Sequence, residues 1–148
     1  MLGVKMGLFA LDLFNSLGLE GHIGIVAYTG SIPPVSCLLD GLQASTGSTM
    51  GHGLIKVAEI AASPRPEASF TCCGKTVTLA LKPEFESIIK ADIDRGVSLF
   101  GHSPEYWKYV EDLALRYARD WDRNDIFVER DTSLELATFG LGSQRSTN

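Results

Sequence analysis

The N-terminal segment has an apolar residue at every third or fourth position, which is the spacing of one helix face. The pattern predicts a first helix of about four turns that faces a core or a partner. Gly3 and Gly7 lie four residues apart, so another backbone can approach closely there, although simple packing clearance is the commoner reason. The apolar positions are Leu2, Met6, Phe9, Leu13 and Leu17, with Gly18 as the C-terminal stop.

Strand-like apolar runs follow this helix. Residues 22–29, HIGIVAYT, predict a buried strand, and a short helix is predicted to begin near Cys37. Three further strands are predicted within 54–60, 68–73 and 75–81, with Gly74 as a tight turn between the last two. The predicted order of these elements is therefore α-β-α-β-β-β.

Two helices are predicted in the C-terminal part of the chain. The first begins at Lys82-Pro83-Glu84 and is predicted to end at Gly96, and the second begins at Ser103-Pro104-Glu105. A stripe on the second helix is either core or an interface between two copies, and we expect a homodimer. We expect one domain over residues 1–139 and a flexible tail over 140–148. The stripe consists of Trp107, Val110, Ala114, Tyr117 and Trp121.

The composition is that of a globular protein, with 45% apolar residues and a formal net charge of −5. No cluster of Lys and Arg supplies a basic surface, so nucleic acid and anionic membranes are not expected partners. Lys5 and Asp12 interrupt the apolar N-terminal segment, which therefore predicts neither a signal peptide nor a membrane span. Three cysteines cannot all pair with one another, which favours reduced thiols and a cytoplasmic location.

The stretch from Pro33 to Gly53 holds most of the candidate chemistry. Two prolines are predicted to deliver an extended chain to a helix with Ser36 as its N-cap, which places Cys37 in the first turn. Free N–H groups and the helix dipole stabilise a thiolate there, and a thiolate binds metal or attacks an electrophile. The alternative is a small buried apolar residue, which is what a free cysteine most often is.

A glycine-rich loop follows the Cys37 helix. His52 lies between two glycines and is a candidate metal ligand or proton carrier, or else a solvated loop residue. Ser48, Thr49 and Gly51 are candidates to cradle a small anion or cofactor, with a tight turn into a strand as the alternative. Cys72 and Cys73 would point to opposite faces if both lay in a strand.

The same stretch resembles a family signature. Cys37-Leu38-Leu39-Asp40-Gly41-Leu42-Gln43, followed by Thr46-Gly47-Ser48-Thr49-Met50-Gly51-His52-Gly53, resembles the core motif of the FmdE-like family of formylmethanofuran dehydrogenase proteins. The resemblance extends weakly to about Glu129. It implies an α+β domain with helices on one face of a mixed sheet, which the order α-β-α-β-β-β matches, and a metal-associated cysteine at Cys37. The family's HGH motif before the first helix has no counterpart here. Ser48 stands at the family's second cysteine and His52 at its lysine, which alters the implied ligands.

These observations predict an FmdE-like accessory protein, which binds a transition metal or a small cofactor near Cys37. A thiolate with an imidazole suits zinc best, with nickel or iron as further metals, so Cys37 and His52 are the expected ligands. One alternative is an oligomeric structural protein with a degenerate site. Another is an enzyme acting on a small molecule, with Cys37 as nucleophile and His52 as base.

Overall fold

The computed structural model describes residues 1–59 and 64–130 of the 148-residue chain. Five strands form one mixed sheet, and helices pack on it, so the predicted α+β fold is confirmed. The predicted tail over 140–148 lies outside the described residues. The helices are α1 (Leu2–Ser16), α2 (Leu38–Thr46), α3 (Pro83–Phe100), α4 (Pro104–Asp120) and the single turn α5 (Arg123–Ile126), with a 3₁₀ turn at Val35–Cys37.

The strand order in the sheet is β2-β1-β3-β4-β5. β1 and β2 are parallel, and every other neighbouring pair is antiparallel. Because β1 and β3 are antiparallel, the start of β1 and the end of β3 lie at one end of the sheet, measured along the strands. The end of β1 and the start of β3 lie at the opposite end. The strands are β1 (Gly24–Ala27), β2 (Ile55–Val57), β3 (Glu67–Cys72), β4 (Lys75–Leu81) and β5 (Phe127–Arg130).

The core lies between the sheet and the helices α1 and α2. Met6 of α1, Leu42 of α2 and Phe70 of β3 are all fully buried in it. Helix α1 has the predicted length, but its most buried residues include Gly3, Gly7 and Ala10, while Leu17 of the predicted stripe is 58% exposed. Small residues line this face because α2 packs directly against the α1 backbone.

The two C-terminal helices differ in detail from the prediction. Gly96 does not end α3, which continues to Phe100, and Gly101 provides the C-cap with a φ of 60°. Gly96 is buried instead, and a Cβ on it would lie 2.6 Å from the Tyr109 ring, so this glycine allows α4 to pack closely. On α4 the interpretation of Trp107 as a core residue is wrong, since Trp107 is 61% exposed and Tyr106 is buried beside it, while the alternative of an interface stays a prediction.

Candidate functional site

The chain leads from β1 into a compact corner before α2. The Pro33–Pro34 peptide bond is cis, and Pro34 has helical rather than extended dihedral angles. Cys37 closes the 3₁₀ turn and stands at the N-cap of α2, so the prediction that Ser36 caps the helix is wrong. The Cys37 side chain makes no capping hydrogen bond and is exposed as a free thiol.

Cys37 lines a cavity of about 420 Å³ between the start of α1, the Cys37 corner and helices α3 and α4. Most of the lining is apolar, and ligand cavities in proteins are typically about 300–1,000 Å³. Pro66 and Leu81 also line the cavity, which places it at the end of the sheet where β3 starts and β4 ends. Apolar side chains in the lining include Leu38, Ile89, Ile93, Val110 and Leu113.

Polar groups lie along one side of this cavity. Glu86, Lys90 and Asp94 of α3 follow one another at four-residue spacing, so they share one face of the helix. All three lie in the lining and form a polar rim. This arrangement suits a ligand with an apolar body and one polar end.

Tyr117 contributes to the cavity wall from α4. Its hydroxyl donates a hydrogen bond to the Asp92 carboxylate, which also accepts one from Arg116 at 2.8 Å. Burial and the hydrogen bond to Asp92 raise the pKa of Tyr117 to about 12. These contacts join α3 to α4 and fix the wall of the cavity on that side.

The glycine-rich loop lies at the opposite end of the sheet, where β1 starts and β3 ends. Ser48 is only 2% exposed, and its hydroxyl donates a 2.6 Å hydrogen bond to the carbonyl of Ile23 just before β1. The Thr49 hydroxyl accepts a hydrogen bond from the His52 backbone N–H at 3.2 Å. Gly51 and His52 are exposed in the turn before β2. Contacts within the protein thus engage the side chains of Ser48 and Thr49, and a role for Ser48, Thr49 and Gly51 in cofactor binding stays a prediction.

The structure does not bring Cys37 and His52 together. Cys37 precedes α2 and His52 follows it, and the nine residues of this helix span roughly 13 Å. Within residues 1–59 and 64–130 no three His, Cys, Asp or Glu side chains group closely enough to hold a metal ion. The two predicted ligands therefore do not complete a metal site with the other described residues, and each stays a candidate ligand.

A pair of cysteines, Cys72 and Cys73, lies at the same end of the sheet as the glycine-rich loop. Strand alternation predicts that their side chains point to opposite faces. Cys72 is buried at the end of β3, and Cys73 is exposed in the turn that follows. Their sulfur atoms lie 3.7 Å apart. Burial, the hydrogen bond with Cys73 and its charge, in that order, raise the pKa of Cys72.

The comparison with protein families gives one match. Residues 1–103 match the family model described as FmdE, molybdenum formylmethanofuran dehydrogenase operon, which covers more than two thirds of the chain. The chain belongs to the FmdE family. No curated protein matches the chain. The FmdE match includes Cys37 and the glycine-rich loop, whereas α4, which supplies Leu113 and Tyr117 to the cavity, lies beyond it.

Among the helices of the described segments, none combines the length and the apolar character needed to cross a lipid bilayer.

Proposed function

We propose that this FmdE family member is an accessory protein that binds a small molecule with an apolar body in the cavity beside Cys37. The observation that carries the proposal is the cavity of about 420 Å³, whose lining is mainly apolar and includes an exposed thiol. Apolar surface supplies affinity for such a ligand, and the polar rim formed by Glu86, Lys90 and Asp94 orients its polar end.

Cys37 gives this cavity its chemical character. A free thiol at a cavity wall is a soft ligand for a metal or a nucleophile toward an electrophilic ligand. His52 lies beyond the other end of α2, so a base that serves Cys37 in one protomer has to be another group. Binding with Cys37 as a contact residue is therefore better supported than catalysis by a Cys37–His52 pair.

A transition metal at Cys37 is the second candidate, with zinc ahead of nickel and iron because zinc accepts thiolate and imidazole ligands readily. The exposed, unpaired Cys37 thiol favours it. The described residues do not complete the ligand set, so the metal candidate needs further ligands from outside them, such as the bound molecule or a second copy of the chain.

We also propose a homodimer, because apolar side chains are exposed together at the turn between α3 and α4. Leu99 and Trp107 are each 61% exposed, and Phe100 is 39% exposed. Tryptophan and phenylalanine at a helix turn are residues that protein interfaces favour. A second copy of this chain is the partner that we propose for this surface.

The cavity proposal is tested with anilinonaphthalene sulfonate, a fluorescent probe with an apolar body and one charged end. We expect the wild-type protein to bind one probe per chain. Ala114→Phe fills the cavity from α4 and should abolish binding. Ala118→Phe is the matched control, because Ala118 lies one turn further along α4 and does not line this cavity. Equal probe binding by the two variants would contradict the proposal.

The metal candidate is tested separately by elemental analysis of the purified protein and of Cys37→Ala after dialysis against a mild chelator. Metal at near one equivalent in the wild type and its loss in the variant would identify Cys37 as a ligand. If neither protein retains metal, the metal candidate is rejected, while the probe experiment still decides the cavity proposal.

A further inference from the structure

The turn between β3 and β4 places two cysteines side by side. Cys72 pairs with Lys75 across the hairpin, so Cys73 and Gly74 form a two-residue turn. Both turn residues have positive φ, 51° for Cys73 and 77° for Gly74, as the tight hairpin turns with two left-handed residues require. This turn carries Cys73 out of the alternation of the strand, so its sulfur lies 3.7 Å from that of Cys72.

Cys73 occupies a conformation that its residue type rarely adopts. Glycine, asparagine and aspartate are the usual residues at a positive φ, and other side chains are strained there. Within the described residues, Cys73 is the only non-glycine with a positive φ. This conformation belongs to the turn that brings the Cys73 sulfur beside that of Cys72.

The sulfur pair is open to solvent on one side. Cys73 is exposed, although Cys72 is only 1% exposed. Gly21 lies beside both sulfur atoms: a Cβ on Gly21 would be 3.5 Å from the Cys73 sulfur and 3.8 Å from the Cys72 sulfur. Because Gly21 has no side chain, no Cβ packs against the two sulfur atoms at this position.

The spacing of the sulfur atoms indicates the geometry of a shared ligand. With bonds of ~2.3 Å to one central atom, two sulfur atoms lie about 3.3–3.8 Å apart at bent angles of roughly 90–110° and about 4.6 Å apart in a linear arrangement. The observed 3.7 Å fits the bent arrangement. No third His, Cys, Asp or Glu joins the pair to form a metal-binding group in the described part of the chain. Within the described residues, the site therefore offers a ligand two protein sulfur atoms.

We propose that Cys72 and Cys73 form a dithiol site in which both sulfur atoms bond to one thiophilic atom at a bent sulfur–atom–sulfur angle. The atom that we propose is trivalent arsenic. Trivalent arsenic is pyramidal and forms stable bonds to two thiolates. With an organic arsenic(III) oxide, two S–H bonds and the As–O bond break, two As–S bonds form, and the oxygen leaves as water. Arsenic stays trivalent, so no oxidant or reductant is needed. The Cys73 thiol gives up its 3.4 Å hydrogen bond to the Glu20 carbonyl in this step.

The test measures binding of phenylarsine oxide by intact mass and by titration. We expect one equivalent per chain, retained on dialysis against a monothiol and removed by a small dithiol. Cys73→Ser should weaken binding of the arsenical about 10²- to 10⁴-fold, because the remaining Cys72 thiol binds without a second, linked thiol at high effective concentration. Arsenite in a parallel titration shows whether the inorganic form, which releases two water molecules, is bound by the same pair.

Cys37→Ser is the matched control, since Cys37 is also an exposed free thiol, but in the described part of the chain no cysteine sulfur forms a hydrogen bond with it. The proposal is overturned if Cys73→Ser binds like the wild type, if Cys37→Ser loses binding, or if a monothiol strips the arsenical. Cys72 is buried in the core, so a Cys72→Ser variant is interpreted only if its circular dichroism matches that of the wild type. Mapping the arsenical to the peptide that contains Cys72 and Cys73 in the wild-type protein supplies a readout that needs no variant.

Discussion

Gly3 and Gly41 bring the backbones of α1 and α2 into direct contact. A Cβ on Gly41 would lie 2.9 Å from Gly3 Cα and 2.6 Å from the backbone nitrogen of Val4. A Cβ on Gly3 would lie 2.1 Å from the Leu38 carbonyl oxygen. Leu38 is the first residue of α2, so this contact positions the end of α2 that carries Cys37.

Gly3→Ala should therefore destabilise the fold. Alanine gains about 1 kcal/mol of helix propensity over glycine, but the new methyl group would meet backbone atoms that cannot rotate away, and overpacking costs about 1–3 kcal/mol or more. Gly7→Ala is the matched comparison, because its Cβ would meet mainly the Ser45 side chain. We expect a larger loss of unfolding free energy for Gly3→Ala in urea titrations. Equal losses would show that α2 shifts freely along α1.

A separate prediction concerns Ser48. Its buried hydroxyl bonds the Ile23 carbonyl, and Ser48→Ala leaves that oxygen without this partner at a cost of about 1–3 kcal/mol. Thr49→Ala, in the more exposed part of the same loop, should change stability by no more than about 0.5 kcal/mol. Chemical denaturation of both variants checks this. If Ser48→Ala instead keeps full stability and loses affinity for a ligand, the role of the hydroxyl is to bind that ligand and not to stabilise the loop.

The sequence predicted the fold best where local chemistry decides the structure. Gly18 and the Ser103-Pro104 pair mark helix ends because a positive φ and a missing N–H act within one turn. Gly96 looked like the same kind of stop, but it serves packing against Tyr109, and only the tertiary structure distinguishes the two roles. β5 was missed because Phe127–Arg130 is short and is ordered by pairing with β4.

The candidate site was predicted only in part. The motif around Cys37 located one wall of the cavity, but the other walls come from α3 and α4, which are distant in sequence. Strand alternation predicts opposite faces for Cys72 and Cys73, so it does not predict the contact between their sulfur atoms. A type I′ hairpin turn with Gly74 as its second central residue requires a left-handed residue before the glycine, and that requirement is the signal that would place Cys73 in the turn.

Tyr117 makes stability depend on pH at the alkaline end. Its pKa is raised from 10.0 to about 12 in the folded protein, so the folded state holds this proton more tightly than the unfolded state. The contribution is fully present below pH 10 and is lost as the pH rises toward 12. Urea unfolding at several pH values across this window should show a smaller alkaline loss for Tyr117→Phe than for the wild type.

Tyr109→Phe is the control for that experiment. The Tyr109 hydroxyl also bonds Asp92, but through the Asp92 backbone carbonyl at 3.1 Å. This variant loses a hydrogen bond and keeps Tyr117. It should therefore be less stable than the wild type at neutral pH and should lose as much unfolding free energy at alkaline pH as the wild type does. An alkaline loss in Tyr117→Phe as large as in the wild type would assign the effect to other groups.

The proposed homodimer depends on the exposed turn between α3 and α4. Trp107→Glu places a charge at the centre of this apolar surface, and burying an unpaired charge in an interface is costly, so the dimer should dissociate. Leu17→Glu is the matched control, since Leu17 is 58% exposed at the end of α1, away from that turn. Sedimentation velocity should show a dimer for the wild type and Leu17→Glu, and a monomer for Trp107→Glu. A monomeric wild-type protein, or a dimer that survives Trp107→Glu, would mean that this surface does not join two copies.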